Sequence, residues 1–255
     1  MIPPMGARAV WLLVAALPAT AADYVDPALC AGCHAALADT HQRTGMGRSF
    51  SLPRLDTPAA YYHPASDRHY TVLEREGRYF LRRHQAGDDG ASAHVLEKEI
   101  HYVVGSGNHA RGLIHRNPDG TLRQLPLAWY AEKGGFWAMA PGYDRPDHPD
   151  FRRRLTEDCL FCHNGYPRRG SLATGIDCQR CHGPGSAHVE AARRGRQAGE
   201  VRAAIVQPAR LDSLRQLELC LGCHLETTSF RLPYALRRFG RDTFSYRPGE
   251  PLADY

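Results

Sequence analysis

The sequence predicts an α+β fold of short helices and long loops with a small antiparallel β insertion, and three observations predict it. Eight cysteines fall into four C-x-x-C pairs, one near the start of the chain and three after residue 158. The stretch between the first pair and the second alternates apolar and polar residues around turn signals, as strands do. The segments around the pairs carry only brief helix-forming runs.

The elements follow in chain order. Residues 1–22 read as a secretory signal. A short n-region has Arg8 as its only charge, an apolar run extends from Ala9 to Leu17, and Ala19-Thr20-Ala21 fits a small-residue cleavage site, with removal after Ala21 or Ala22. The apolar run is about half the roughly 20 residues a spanning helix needs, and no later segment is longer. The chain is therefore expected to be periplasmic or otherwise exported, with no stable membrane span.

Residues 23–60 form the first cysteine-bearing segment, in which residues 35–43 are expected to continue as a helix from Cys30 and Cys33. Residues 61–140 are the β-rich insertion. His69-Tyr-Thr-Val-Leu-Glu-Arg75 and Arg78-Tyr-Phe-Leu-Arg-Arg83 flank Glu76-Gly77, a hairpin signal. Ile100-His-Tyr-Val-Val104 is another β-rich run. Residues 110–116 and 121–125 flank Asn117-Pro-Asp-Gly120, whose residues favour a tight turn. Residues 141–255 hold the remaining three pairs, with one helix expected from a Ser186 cap to about residue 199 and another over residues 211–220.

The pairs are Cys30 and Cys33, Cys159 and Cys162, Cys178 and Cys181, and Cys220 and Cys223, and each is followed at once by a histidine: His34, His163, His182 and His224. In C-x-x-C-H two thiols add across the vinyl groups of a haem, and the adjacent histidine is held beneath the porphyrin, where it binds the iron. A zinc ribbon would use the thiolates, and four disulfides would suit an exported chain, but neither requires a histidine after every second cysteine. Four haem c groups are the expected cofactors. The α+β chain is then expected to wrap them, their apolar faces replacing much of an ordinary core.

The formal charge is +5, and loss of Arg8 with the signal leaves +4. Four haems bring about eight propionate carboxylates, enough to reverse that sign, so basicity here is no argument for a nucleic-acid partner. Only Lys98 and Lys133 among the 32 basic residues are lysines; arginine's planar fork suits bidentate contact with carboxylates, propionates included, although an arginine-rich genome gives the same composition.

Five stretches carry a family resemblance: Cys30-Ala-Gly-Cys-His34 with Thr44-Gly-Met-Gly-Arg-Ser49; Val104-Gly-Ser-Gly-Asn-His-Ala-Arg111; Phe136-Trp-Ala-Met-Ala-Pro-Gly-Tyr143; Cys159-Leu-Phe-Cys-His-Asn164; and Gly175-Ile-Asp-Cys-Gln-Arg-Cys-His-Gly-Pro-Gly185 with His188 beyond it. From about Tyr24 onward the chain resembles the multihaem cytochrome c family related to the tetrahaem cytochrome of ammonia oxidisers, which includes exported members often fused to tetratricopeptide repeats. The resemblance implies closely packed haems, usually with histidine on both faces of the iron, passing electrons between redox partners. No repeat domain is evident, and the chain stops at Pro251-Leu-Ala-Asp-Tyr255, as expected of a truncated version of a longer relative.

Ten histidines remain for at most four distal positions. His188 follows a Gly-Pro-Gly turn that can redirect the chain toward a neighbouring haem, and His109 follows Gly105-Ser-Gly-Asn108, a flexible strand end that lets backbone approach a flat ring; the resemblance points to both. His115 and His148 are weaker candidates, the first suited equally to a strand face and the second to a Pro/Asp loop. Met46 stands where related cytochromes often have a ligating histidine; a thioether there would raise that haem's potential, or would simply pack on the porphyrin.

The function expected is that of a tetrahaem c-type cytochrome transferring electrons outside the cytoplasm, with redox proteins or quinol-linked donors as partners. The alternative is a multihaem oxidoreductase with one open haem acting on a small nitrogen or sulfur compound, for which Arg111, His115 and Tyr143 are candidates for charge stabilisation and proton delivery. The C-x-x-C-K variant used at the catalytic haem of pentahaem nitrite reductases is absent. A sensory or scaffold module, its sheet binding a partner, is a third class.

Overall fold

The structure is a computed structural model that describes residues 23–56, 59–165, 172–224 and 246–255; the expected signal, residues 1–22, lies outside the described residues. The architecture is α+β, with seven helices and ten strands among the described residues. The strands, all antiparallel, run from β1 (Phe50–Ser51) to β10 (Arg154–Leu155), well beyond residues 61–140 at both ends.

They form two sheets. The four-stranded sheet is a meander of β2 (Ala59–His63), β3 (Arg68–Arg75), β4 (Arg78–Ala86) and β5 (Ser92–Ile100). The β3–β4 hairpin turns at Glu76 (φ 53°) and Gly77 (φ 72°), two positive angles that match the right-handed twist of the strands they join. The six-stranded sheet runs β1-β6-β7-β8-β10 in order, with β9 also on β8; here β6 is Tyr102–Val104, β7 Ala110–Arg116, β8 Leu122–Tyr130 and β9 Phe136–Met139.

Strand β8 continues past residue 125, the end expected from sequence, straight through Pro126. Between Gly112 and Ile114 the β7–β8 register shifts, and a proline with no N–H to donate is accommodated at such a bulge. Leu125 and Leu127, two residues apart and so on the same face of the strand, both enter the core. That core lies between the sheets, with Tyr70, Leu81 and Ile100 from the four-stranded sheet against Leu113, Leu125 and Leu127 from the other, closed by Tyr143 and Phe151.

One end of the core is polar. Asp150 accepts from Arg83 Nη2 at 2.8 Å and lies 3.8 Å from Arg68 Nη1. His148, 3% exposed, accepts from the Asp150 N–H through Nδ1 at 3.1 Å, while Nε2 lies 3.2 Å from the Tyr70 hydroxyl and 3.2 Å from Arg68 Nη1. Burial first, and the Arg68 charge next, push the His148 pKa down to about 4.

The neutral ring is thus the folded form, and acid protonates the unfolded chain first. Stability is expected to fall as pH drops from about 6.5 toward 4, by up to about 3 kcal/mol for this group. Denaturant titrations across that window check it: His148→Gln should flatten the acid limb relative to the parent, and parallel limbs would refute it.

The helices sit outside the sheets: α1 (Pro27–Cys33), α2 (Ala35–Gln42), α3 (Glu157–His163), α4 (Gln179–His182), α5 (Ser186–Arg193), α6 (Ala198–Ala203) and α7 (Ser213–Leu221). The single helix expected over residues 186–199 is two, broken at Gly195 (φ 63°). Ser186 does not cap it; its hydroxyl accepts from Asp23 N–H at 2.7 Å and ties the described N-terminus to α5. Asp212 caps α7, accepting from Arg215 N–H at 2.9 Å.

Candidate functional site

Each C-x-x-C-H motif occupies about one helical turn. In α1, Pro27 opens the helix and Asp26 caps it, accepting from Ala28 N–H at 2.9 Å. The histidine N–H then donates to the first cysteine's carbonyl: His34 to Cys30 at 2.9 Å, His182 to Cys178 at 3.0 Å, His224 to Cys220 at 2.8 Å. Residues at i, i+3 and i+4 share one helix face, so both thiols and the imidazole emerge on the same side. None of the eight cysteines is in a disulfide, and Cys33, Cys159 and Cys220 are exposed. Among the described residues no three His, Cys, Asp or Glu side chains converge on a point, as a zinc ribbon would need.

The fold gathers motifs that are remote in sequence. Cys30 lies beside Cys178: burial raises the Cys30 thiol first, and the charges of Cys178 and Asp177 raise it further. Cys162 and Cys223 share a hydrogen bond that lowers the Cys223 thiol, with Arg180 adding to the effect; Arg180 donates to Cys223 Sγ at 3.5 Å and to the Phe161 carbonyl at 2.9 Å. Burial raises the Cys181 thiol, and neighbouring Cys223 raises it further. His163 is lowered by burial and by the nearby His224. The first motif thus adjoins the third, and the second and third adjoin the fourth.

His188 reaches the first motif. Its ring centre lies 6.2 Å from that of His34, with the two planes 22° from parallel. Its Nδ1 is hydrogen-bonded to the Val201 carbonyl at 2.8 Å, and the motif histidine His182 makes the same kind of bond to the Val206 carbonyl at 2.9 Å. A backbone carbonyl fixes the proton on Nδ1 and leaves the Nε2 lone pair free, the arrangement common to metal-binding histidines.

Residues 44–50 tie the motifs to the sheets. Ser49 Oγ donates to the His163 carbonyl at 2.7 Å. Met46 and Phe50 carbonyls accept from Ile176 N–H at 3.0 Å and Gly175 N–H at 2.7 Å, and Ser49 O accepts from Gly105 N–H at 2.7 Å. Gly175 is required there: its φ is +66°, and a Cβ would lie 2.0 Å from the Gly47 carbonyl oxygen. His41, not singled out by sequence, holds the same junction through Nε2 and the Ile176 carbonyl at 2.7 Å; its position two helical turns after His34 was the available signal.

The other candidates divide. Met46 is 47% exposed. His109 is exposed on the residue 105–109 loop, which meets residues 44–49 where Arg48 Nη2 donates to Asn108 Oδ1 at 3.4 Å. His115 is buried on β7, its Nδ1 bonded to the Glu99 carbonyl at 2.8 Å. His148 sits in the polar end of the core with both nitrogens engaged. Arg111 covers the Trp129 ring at 5.2 Å. Tyr143 is buried, its hydroxyl donating to the Gln124 carbonyl at 2.8 Å and its pKa raised by burial. Arg111, His115 and Tyr143 are each held by different partners.

No family model, curated protein or solved structure matches this chain.

Proposed function

We propose that this chain binds four haem c groups through its C-x-x-C-H motifs and transfers electrons between redox partners outside the cytoplasm. The observation that carries the proposal is that every cysteine lies in such a motif, and the His34–His188 pair supports it independently. Two imidazoles on opposite faces of one iron, each nitrogen about 2 Å from the metal and about 1 Å from its ring centre, would place the ring centres about 6 Å apart. The His34–His188 separation is 6.2 Å.

Bound haem would supply a one-electron ferric/ferrous couple at each motif. The cysteine pairs would hold the porphyrins as thioethers, and His34, His163, His182 and His224 would bind one face of each iron. His188 would be a second protein ligand to the iron held at the first motif. His109, His115 and Met46 are the remaining candidates for distal positions; His148 is left out, since both its nitrogens serve the core. Apolar side chains exposed beside the motifs, Leu37, Leu214 and Leu217 among them, fit surfaces that porphyrin would cover. Arg180, bridging the second, third and fourth motifs, would fix them relative to one another, and Ser49 would tie the second motif to the six-stranded sheet.

Export is part of the same proposal. It rests on residues 1–22, and no described helix is long and apolar enough to cross a membrane.

Expression in a host that matures c-type cytochromes, with and without residues 1–22, tests the reading. The exported product is expected to gain four haem masses and to show only low-spin ferric signals in electron paramagnetic resonance. An unmodified mass would overturn haem attachment. A high-spin component that binds nitrite, nitric oxide or hydroxylamine would overturn the carrier role in favour of an open-haem oxidoreductase.

A further inference from the structure

The short link between β2 and β3 holds a hydrogen-bond relay that the cysteine motifs do not use. His63 ends β2, Pro64–Ser66 forms one 3-10 turn, and Asp67 (φ 49°) returns the chain to β3. The turn brings Ser66 back to the His63 ring, where Ser66 Oγ lies 2.7 Å from Nδ1. The other ring nitrogen, Nε2, lies 3.1 Å from Asp144 Oδ1. A carboxylate only accepts, so Nε2 carries the hydrogen of the neutral ring and Nδ1 its lone pair. Ser66 must then be the donor to Nδ1.

Thr40, Thr44 and Ser49 give their hydroxyl hydrogens to backbone carbonyls, which take up no proton at neutral pH. Ser66 instead donates to a base, and a carboxylate orients that base. His148 adds a second imidazole. Its Nε2 lies 3.4 Å from Ser66 Oγ, and with Nδ1 accepting from Asp150 N–H this nitrogen carries a hydrogen to donate. Arg68, with Nη1 3.2 Å from the same nitrogen, sets a positive charge beside the turn. His63 is buried, while Ser66 is half-buried between exposed Ala65 and Asp67, so the base is enclosed and the serine stands at the surface.

A nucleophile within hydrogen-bond reach of a base, which a third group orients, is the arrangement that activates serine for acyl transfer. Here Nδ1 rather than Nε2 faces the serine, and either imidazole nitrogen can take a proton. We propose that Ser66, His63 and Asp144 form a hydrolytic site for small, unhindered carboxylic esters. Ser66 Oγ bonds to the ester carbonyl carbon while its proton passes to His63 Nδ1, and Arg68 offers charge to the carbonyl oxygen as it becomes negative. The proton then goes to the departing alkoxide as its bond to carbon breaks, which frees the alcohol and leaves an acyl-serine. Water attacks that ester and gives a proton to His63, which returns it to Ser66 as the carboxylic acid departs. Ester and water give acid and alcohol with no electrons exchanged. None of the motif residues takes part, so the proposal is independent of the haem reading.

A fluorophosphonate, which bonds to activated serines with loss of fluoride, tests it on the full chain, with the adduct located by peptide mass. The parent is expected to carry a phosphonyl group on Ser66 and to release acid from phenyl acetate above the background set by Ser66→Ala. His63→Gln should slow both reactions by about 100-fold, the lower end of what a positioned base contributes. Asp144→Asn should slow them by a smaller factor, because the Asp144 side chain is 84% exposed and water screens it. That variant changes a surface group, so it decides the role of the relay even if His63→Gln, altered at a side chain 1% exposed, fails to fold. Haem masses are read on separate peptides of the same digest, which keeps a failure of haem attachment distinct from a failure of this site. No adduct on Ser66 in the parent, as a purely structural serine would give, or adduct formation at the parent's rate in Asp144→Asn, would overturn the proposal.

Discussion

On the proposed ligation, His188→Ala is expected to turn one haem in four high-spin and leave the other three low-spin, with all four still attached. Attachment depends on the thiols, and His34 would still hold the iron from its own side, so only the sixth ligand is lost. The potential of that haem should move within the span of about 0.8 V that axial ligands command, while the other three potentials stay in place. Added imidazole should restore the low-spin signal without restoring the covalent link to α5.

The competing role for His188 is structural. Its bond to the Val201 carbonyl joins α5 to α6, and losing that bond alone would lower stability by about 1 kcal/mol. A variant that is less stable but keeps four low-spin haems would therefore assign His188 to packing and refute the ligand role. His188→Met separates the two further: a thioether cannot replace the Nδ1 bond, yet it can bind iron and would raise the potential.

Much of this arrangement was legible in the sequence because it is written in short spacings. C-x-x-C-H sets two thiols and an imidazole on one turn, and Gly183-Pro-Gly185 before His188 marks a change of direction; neither needs tertiary information. The β3–β4 hairpin was legible for the same reason, since Glu76-Gly77 supplies both positive φ angles. What was not legible depends on contacts between remote segments. The length of β8 depends on a bulge opposite Pro126, and a proline in a run otherwise reads as its end. The single helix expected over residues 186–199 read through Gly195, where the left-handed backbone (φ 63°) ends α5 and separates it from α6. His148 looked like a loop residue because the sequence does not show that Arg68, Tyr70 and Asp150 surround it, and His41 was passed over because its partner carbonyl is 135 residues away.

That buried surround sets up the other large effect. Asp150→Asn is expected to cost about 3–5 kcal/mol, because it leaves the Arg83 and Arg68 guanidinium groups in a low-dielectric site without a counter-charge. The Asp150 side chain is 15% exposed and that of Arg83 12%, so water screens little of this. Asparagine is the informative replacement. It keeps the side-chain shape and tolerates the left-handed backbone at this position, φ 50°, so any loss reports charge rather than strain. The melting temperature should fall by on the order of 10 °C, with haem content and spectra unchanged because the cluster belongs to the sheets. The same substitution removes the one neighbouring charge that favours the His148 cation. The folded-state pKa of His148 should then drop further, and the acid limb of the stability curve should extend below pH 4. A melting temperature within about 2 °C of the parent's would mean that solvent already compensates these charges.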